Sequence, residues 1–237
     1  MRFRVGALSA SLLVFFAAAL YASPDLPARI LALVPGDRRA EVGEIVANPT
    51  FVRVLEFEAR ADLRVYTYLL DHPDLNAALG RALGIASYRV VHIGPRQYRG
   101  NDGSGNVGTI EVLSDEGQER AFMERGLSPG WWFGEIKGRV VALIGFSSEG
   151  ERVRGTVTLW ARIDQGFVDR LLRLLEPMVG GFLDWKLREQ LSIAFRVAET
   201  ASQHTGQFCP LLGELSGDSP DERQALAGLA GCWRVEG

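Results

Sequence analysis

ADLRVYTYLLDHPDLNAALGRALG, residues 61–84, decides the fold. Leu63, Tyr66, Leu69 and Leu70 recur at helical spacing, His72-Pro73 breaks the run, and Leu75, Ala78, Leu79 and Leu83 resume it, so two short helices are expected. Upstream, Phe51 to Ala59 alternates imperfectly, with Phe51, Leu55, Phe57 and Ala59 against Arg53, Glu56 and Glu58, which favours a strand. Downstream the period stays at two for a long stretch. Tyr88–Tyr98, Val107–Leu113, Gln118–Glu124, Trp131–Ile136, Arg139–Phe146 and Arg152–Ile163 read as six strands of an antiparallel meander. The turns between them carry glycine: residues 100–105, Asp115-Glu116-Gly117, Ser128-Pro129-Gly130, Lys137-Gly138 and Ser148-Glu149-Gly150.

The longest helical pattern runs from Gln165 to Ser202, with Asp164 placed to cap it. Val168, Leu171, Leu175, Met178, Phe182, Leu187, Leu191, Phe195 and Ala198 form its apolar stripe, and Pro177 with Gly180-Gly181 predicts a kink near its middle. Leu26 to Val46 reads as one or two short helices broken at Pro35-Gly36. From His204 onward the chain reads as loop, with a short helix over Asp221 to Leu229.

At the start of the chain, Arg2 and Arg4 precede an uncharged apolar run from Val5 to Tyr21, the layout of a secretory signal. Cleavage after Ala22 is preferred to cleavage after Ala19; the alternative is a retained anchor, since about 17 apolar residues lie at the lower edge of a membrane span. Signal removal leaves roughly 215 residues, the size of one domain with a substantial core. The formal charge is −3, and −5 once Arg2 and Arg4 are gone, so no basic footprint for nucleic acid exists. The only two cysteines, Cys209 and Cys232, lie in the tail of a chain expected in an oxidising compartment, which predicts a disulfide between them. The divisions expected are a signal over 1–22, a helical lead-in over 23–50, the main domain over 51–203 and a stapled tail over 204–237.

Strand, two short helices, six antiparallel strands and one long C-terminal helix, in that order, resemble the START-like, helix-grip superfamily, also called the polyketide cyclase and lipid-transport superfamily or SRPBCC. Val65, Tyr66, Leu69, Asp71 and Pro73 are similar to the family's first-helix pattern, whereas the tryptophan often found after the proline is replaced by the stretch Leu75 to Leu79. The resemblance covers Phe51 to Ser202. It implies an α+β fold in which a curved antiparallel sheet of about seven strands wraps around the long, kinked C-terminal helix. It also implies a ligand cavity between sheet and helix, with no cofactor. Strand parity combined with the helical stripe names the expected lining: Ile110, Val112, Phe122, Val140, Ala142, Ile144, Val157, Leu159, Met178 and Phe182. Small residues among the inward positions, Gly155, Ala142 and Ala161, lower the filled volume and favour a pocket over a solid core.

Other residues attract a chemical reading less strongly. His72, His92 and His204 lack metal-ligand spacing, and His72-Pro73-Asp74 matches the J-domain tripeptide without its helical hairpin. The stretch 101–105 reads as a hairpin turn and not as a calcium loop, because it holds one acid and a strand follows. Trp131-Trp132-Phe133 is the densest aromatic cluster and fits a pocket mouth, a transient membrane-surface contact or a buried strand. Three functions stay open. The preferred one is a non-catalytic, periplasmic or secreted carrier of a hydrophobic small molecule or lipid. The second is a cyclase- or hydrolase-type enzyme with Glu111, Glu119, Arg120 and Arg125 as acid and base candidates, and the third is an envelope module with a closed core.

Overall fold

The computed structural model describes residues 25–103, 105–130, 134–215 and 220–232, with the side chains of 130, 134, 177–179, 182, 183 and 186 outside that description. Helices α1 (Leu26–Leu33) and α2 (Arg39–Ala47) precede strand β1 (Phe51–Arg60). Helices α3 (Leu63–Asp71) and α4 (Pro73–Ala82) follow. Then come β2 (Arg89–Gly94), β3 (Gln97–Asn101), β4 (Val107–Ser114), β5 (Glu119–Gly130), β6 (Gly134–Glu149) and β7 (Arg152–Ile163). Helices α5 (Gly166–Gln203), α6 (Thr205–Glu214) and α7 (Pro220–Ala230) complete the described chain. The seven strands form one open antiparallel sheet in the order β1-β7-β6-β5-β4-β3-β2. This is the α+β, helix-grip arrangement expected from the sequence, with α5 laid along one face of the sheet.

Local chemistry explains the helical pair. Asp62 caps α3 by accepting from the Arg64 backbone N–H at 2.8 Å, and α3 stops at His72 because Pro73 opens α4. At α5 the expected cap is absent: Gln165 takes the N-cap position, and Asp164 instead accepts two hydrogen bonds from Arg139. Helix α5 runs unbroken from Gly166 to Gln203, through Pro177 and Gly180-Gly181.

Several strand boundaries differ from the sequence reading, among them Ser128-Pro129-Gly130, which was expected as a turn and instead ends β5, paired with the start of β6. Tyr88–Tyr98 is folded into the β2–β3 hairpin at Pro95-Arg96, where Arg96 takes φ 57°. Conversely, Lys137-Gly138 is no turn and lies inside β6. Gly138 faces Ile163 across the ladder, and a Cβ there would come within 3.2 Å of the Ile163 side chain, so close approach explains this glycine.

Both faces of the sheet are covered. On the inner face Phe195 of α5 points its Cζ at Gly155, stacks on Phe57 (5.2 Å between centroids) and meets Tyr66 at 4.3 Å. Gly155 therefore makes room for an aromatic ring and not for a cavity, unlike the sequence expectation. On the outer face Leu113, Ala121, Met123, Val141, Leu143 and Trp160 pack against Ile30, Val34, Val42, Ile45 and Val46 of the first two helices. In the tail, α7 falls where a short helix was expected over Asp221 to Leu229, whereas α6 forms where loop was expected. Phe208 and Leu212 of α6 and Leu226 and Ala227 of α7 join the inner core, and Tyr68 donates to the Glu222 carbonyl. Gly231, at φ 75°, ends α7 in a turn in which the Cys232 N–H reaches the Ala227 carbonyl, and Cys232 is bonded to Cys209. Among the described residues no helix is long and apolar enough to cross a membrane.

Candidate functional site

Between the inner face of the sheet and helices α3, α4 and α5 lies a cavity with two connected chambers. The inner one, about 200 Å³, has a floor of Ile110, Phe122, Val140, Ala142, Ile144, Val157 and Leu159, and walls that include Tyr66, Leu69, Ala194 and Phe195. Those seven floor residues are among the ten that strand parity placed at a pocket. Val112 shares their face but packs with Ala77, Val90 and Tyr98 under α4. The side chains of Met178 and Phe182 lie outside the described residues, as do Trp131-Trp132-Phe133 and the signal segment.

The outer chamber, about 440 Å³, shares Tyr88, Ile110, Glu124, Val140, Gln190 and Leu191 with the inner one. It exists because of a glycine row. Gly100, Gly108, Gly126 and Gly138 stand side by side in register across β3, β4, β5 and β6, and all four line the chamber. Four adjacent strands thus present bare backbone where side chains would otherwise fill the space. Glycine in a strand interior weakens the strand and has a use where another group approaches the backbone closely.

Two carboxylates line this space: Asp102, which accepts from the Asn106 backbone N–H within its own hairpin, and Glu124. Glu124 lies in the next row, between Ile110 and Val140, and the surface it retains opens on the cavity. Burial pushes its carboxyl above the ordinary glutamate range, and it makes no hydrogen bond or ion pair among the described residues. A Cβ at Gly108 would come within 3.1 Å of Glu124 Oε1, so the glycine row also makes room for this carboxyl. On the inner wall Asn76 is buried, and its Oδ1 has no partner either. Tyr88, at the junction of the chambers, has its phenol pushed up to about 12 by burial. No lysine, arginine or histidine is found among the described lining residues.

The acid and base candidates named from sequence are engaged elsewhere. Glu111 accepts from Arg38 at 2.8 Å, Arg125 pairs with Glu41 at 2.5 Å, and Glu119 pairs with Arg29, all of them on the outer face where they tie α1 and α2 to the sheet. The Arg125 hydrogen bond holds the Glu41 carboxyl below its ordinary value. Arg120 is buried on the inner face, but its guanidinium is committed to Asp71 (2.5 and 3.0 Å) and to the carbonyls of Gly117 and Glu119. Glu124, Asn76 and Gln190 were not singled out by sequence reasoning. For Glu124 the signal was present, since it shares strand parity with Phe122.

The remaining candidates have local roles. The His72 ring is hydrogen-bonded to the Tyr68 carbonyl and stacked on its ring, and the 101–106 hairpin is held by Asn101 and Asp102. A larger hollow, about 720 Å³, lies on the outer face beside α1. Most of its charged groups neutralise one another, as in Arg29–Glu119 and Arg154–Glu58.

No family model matches the sequence, and no curated protein sequence does. Solved structures do resemble the fold. A conserved protein from Geobacillus kaustophilus is similar at a TM-score of 0.49 and 14% identity, over 64% of this chain and 97% of that one. A START superfamily protein from Mycobacterium smegmatis is similar at a TM-score of 0.43 and 12% identity, over 63% of this chain and 97% of that one. The fold that these likenesses concern is a seven-stranded antiparallel sheet with a long C-terminal helix laid along its inner face.

Proposed function

We propose that the protein is an exported carrier or binding protein for a hydrophobic small molecule held between the sheet and α5. The observation that carries this reading is the glycine row. Four strands give up side chains at the same level of the sheet, and the space they leave opens into a chamber floored by aliphatic and aromatic groups. Concave, largely apolar space with few polar groups is the usual form of a small-molecule site. Export is supported by the basic and apolar order of residues 1–22 and by the bonded Cys209–Cys232 pair, since disulfides persist in oxidising compartments.

The second reading, an enzyme, is favoured by Glu124, because a carboxyl perturbed by burial in a cleft is a candidate for proton transfer. The carrier is favoured all the same, as no basic side chain accompanies Glu124 among the described lining residues. Native mass spectrometry of protein released from the envelope of its own host tests the proposal. The chain should begin near Ser23 and carry a non-covalent adduct that collisional activation removes. Intact Met1 in the cytoplasm contradicts the export, and an adduct-free chain that also fails to take up the neutral dye Nile red contradicts the carrier.

A further inference from the structure

The polar inventory of the cavity is one-sided. Glu124 offers two carboxyl oxygens and Asn76 a buried amide oxygen, and none of these acceptors has a donor among the described residues. The described lining supplies no cation to meet them. Glu124 keeps more than a third of its surface exposed and lines both chambers, so a ligand can reach its carboxyl, and a hydrogen-bonded counter-charge there would find no protein competitor among the described residues. Apolar walls flank it: Ile110 and Val140 are its cross-strand neighbours, and Phe122 lies two residues before it on the same face. The site therefore combines apolar walls with an unpartnered carboxyl, whereas Asp102, the other carboxylate of the lining, accepts from Asn106 in its own hairpin.

Building on the carrier reading, we propose that the ligand is an amphiphilic amine, its apolar body in the inner chamber and its ammonium group hydrogen-bonded to Glu124. An ammonium group supplies N–H donors to Glu124 together with the positive charge that the described lining lacks. An alcohol supplies a donor without the charge. A fatty-acid anion supplies neither and brings a second negative charge beside Glu124. The glycine row gives the ammonium its seat, since bare backbone at Gly108 and Gly126 leaves room next to the carboxyl.

Displacement of Nile red by dodecylamine, dodecanol and dodecanoate, on the full-length mature protein and on Glu124→Gln, tests this. A charge-assisted hydrogen bond should make dodecylamine stronger than dodecanol by about tenfold or more. Dodecanoate should be the weakest of the three, and Glu124→Gln should bring the amine and the alcohol together while leaving Nile red binding in place. Equal displacement by all three, or an amine preference that survives in Glu124→Gln, overturns the inference and leaves the carrier reading standing. Failure of the wild-type protein to bind Nile red overturns the carrier reading, and the inference with it.

Discussion

Glu124 shows how a side chain's neighbours decide its chemistry. On the outer face of the same strand Arg125 is matched by Glu41, whereas Glu124, one residue earlier, points the other way and meets no cation among the described residues. Burial raises its carboxyl above the ordinary value of 4.5, so the folded chain holds this proton more tightly than the unfolded chain does. The sign of the linkage follows. Glu124 has no effect on stability below that ordinary value, lowers stability as pH rises through the folded-state value, and keeps its full unfavourable effect above it. Ligand-free Glu124→Gln should therefore match the wild type, by denaturant unfolding, below the ordinary glutamate value, and exceed it increasingly as pH is raised above that value. A wild type that gains on the variant as pH rises would mean that the carboxylate has a cationic partner. Which way Glu124 faces was legible in the sequence from Phe122 two residues before it. That it would stand alone was not, because the partners of Arg38, Arg120 and Arg125 lie 49 to 84 residues away along the chain.

At the scale of elements, periodicity gave the helices other than α6, while turn residues misplaced several strand ends. Lys137-Gly138 and the glycines after Tyr98 carry the composition of turns, yet Gly138 and Gly100 belong to the row across the sheet. Alignment of glycines across strands depends on register, which no single strand's sequence states. Helix α6 was hidden for a related reason, whereas α7 was expected. Short segments such as α6 and α7 draw their stability from burying Phe208, Leu212 and Leu226 in the inner core, and only the folded chain supplies that surface. The glycine row makes its own prediction. A Cβ at Gly126 would have nothing nearer than the Val107 carbonyl at 3.9 Å and Glu124 Oε1 at 4.0 Å, so Gly126→Val fits and suits a strand. It should raise stability, by up to about 1 kcal/mol, while weakening Nile red binding. A variant that is less stable and binds the dye unchanged would show that Gly126 serves the strand and not the chamber.

The whole molecule is a sheet with different business on its two faces. Outside, α1 and α2 are held chiefly by apolar contact: burying each of Ile30, Val34, Val42 and Ile45 contributes about 1.5–3 kcal/mol, against about 0–1 kcal/mol for each partly exposed ion pair around them. Inside, the two helical layers and the disulfide-linked tail close one end of the space beneath the sheet with Tyr66, Phe146 and Phe195, and the glycine row leaves the other end open. The sequence showed the leading helices as helices. Their docking on the outer face could not be read from it, because Val141, Leu143 and Trp160 alternate with inner-face residues and look like ordinary strand filling until both faces are known to be covered. The claim on which the functional account turns is that the inner chamber is open space. Ala142, between Phe122 and Leu159 on its floor, is the place to ask. Thermal unfolding and Nile red binding of Ala142→Trp, measured beside the wild type, give the answer. The account predicts that the indole enters the chamber, binding is lost and stability changes little. A loss of about 1–3 kcal/mol from overpacking, in a protein whose wild type binds no dye, would contradict it.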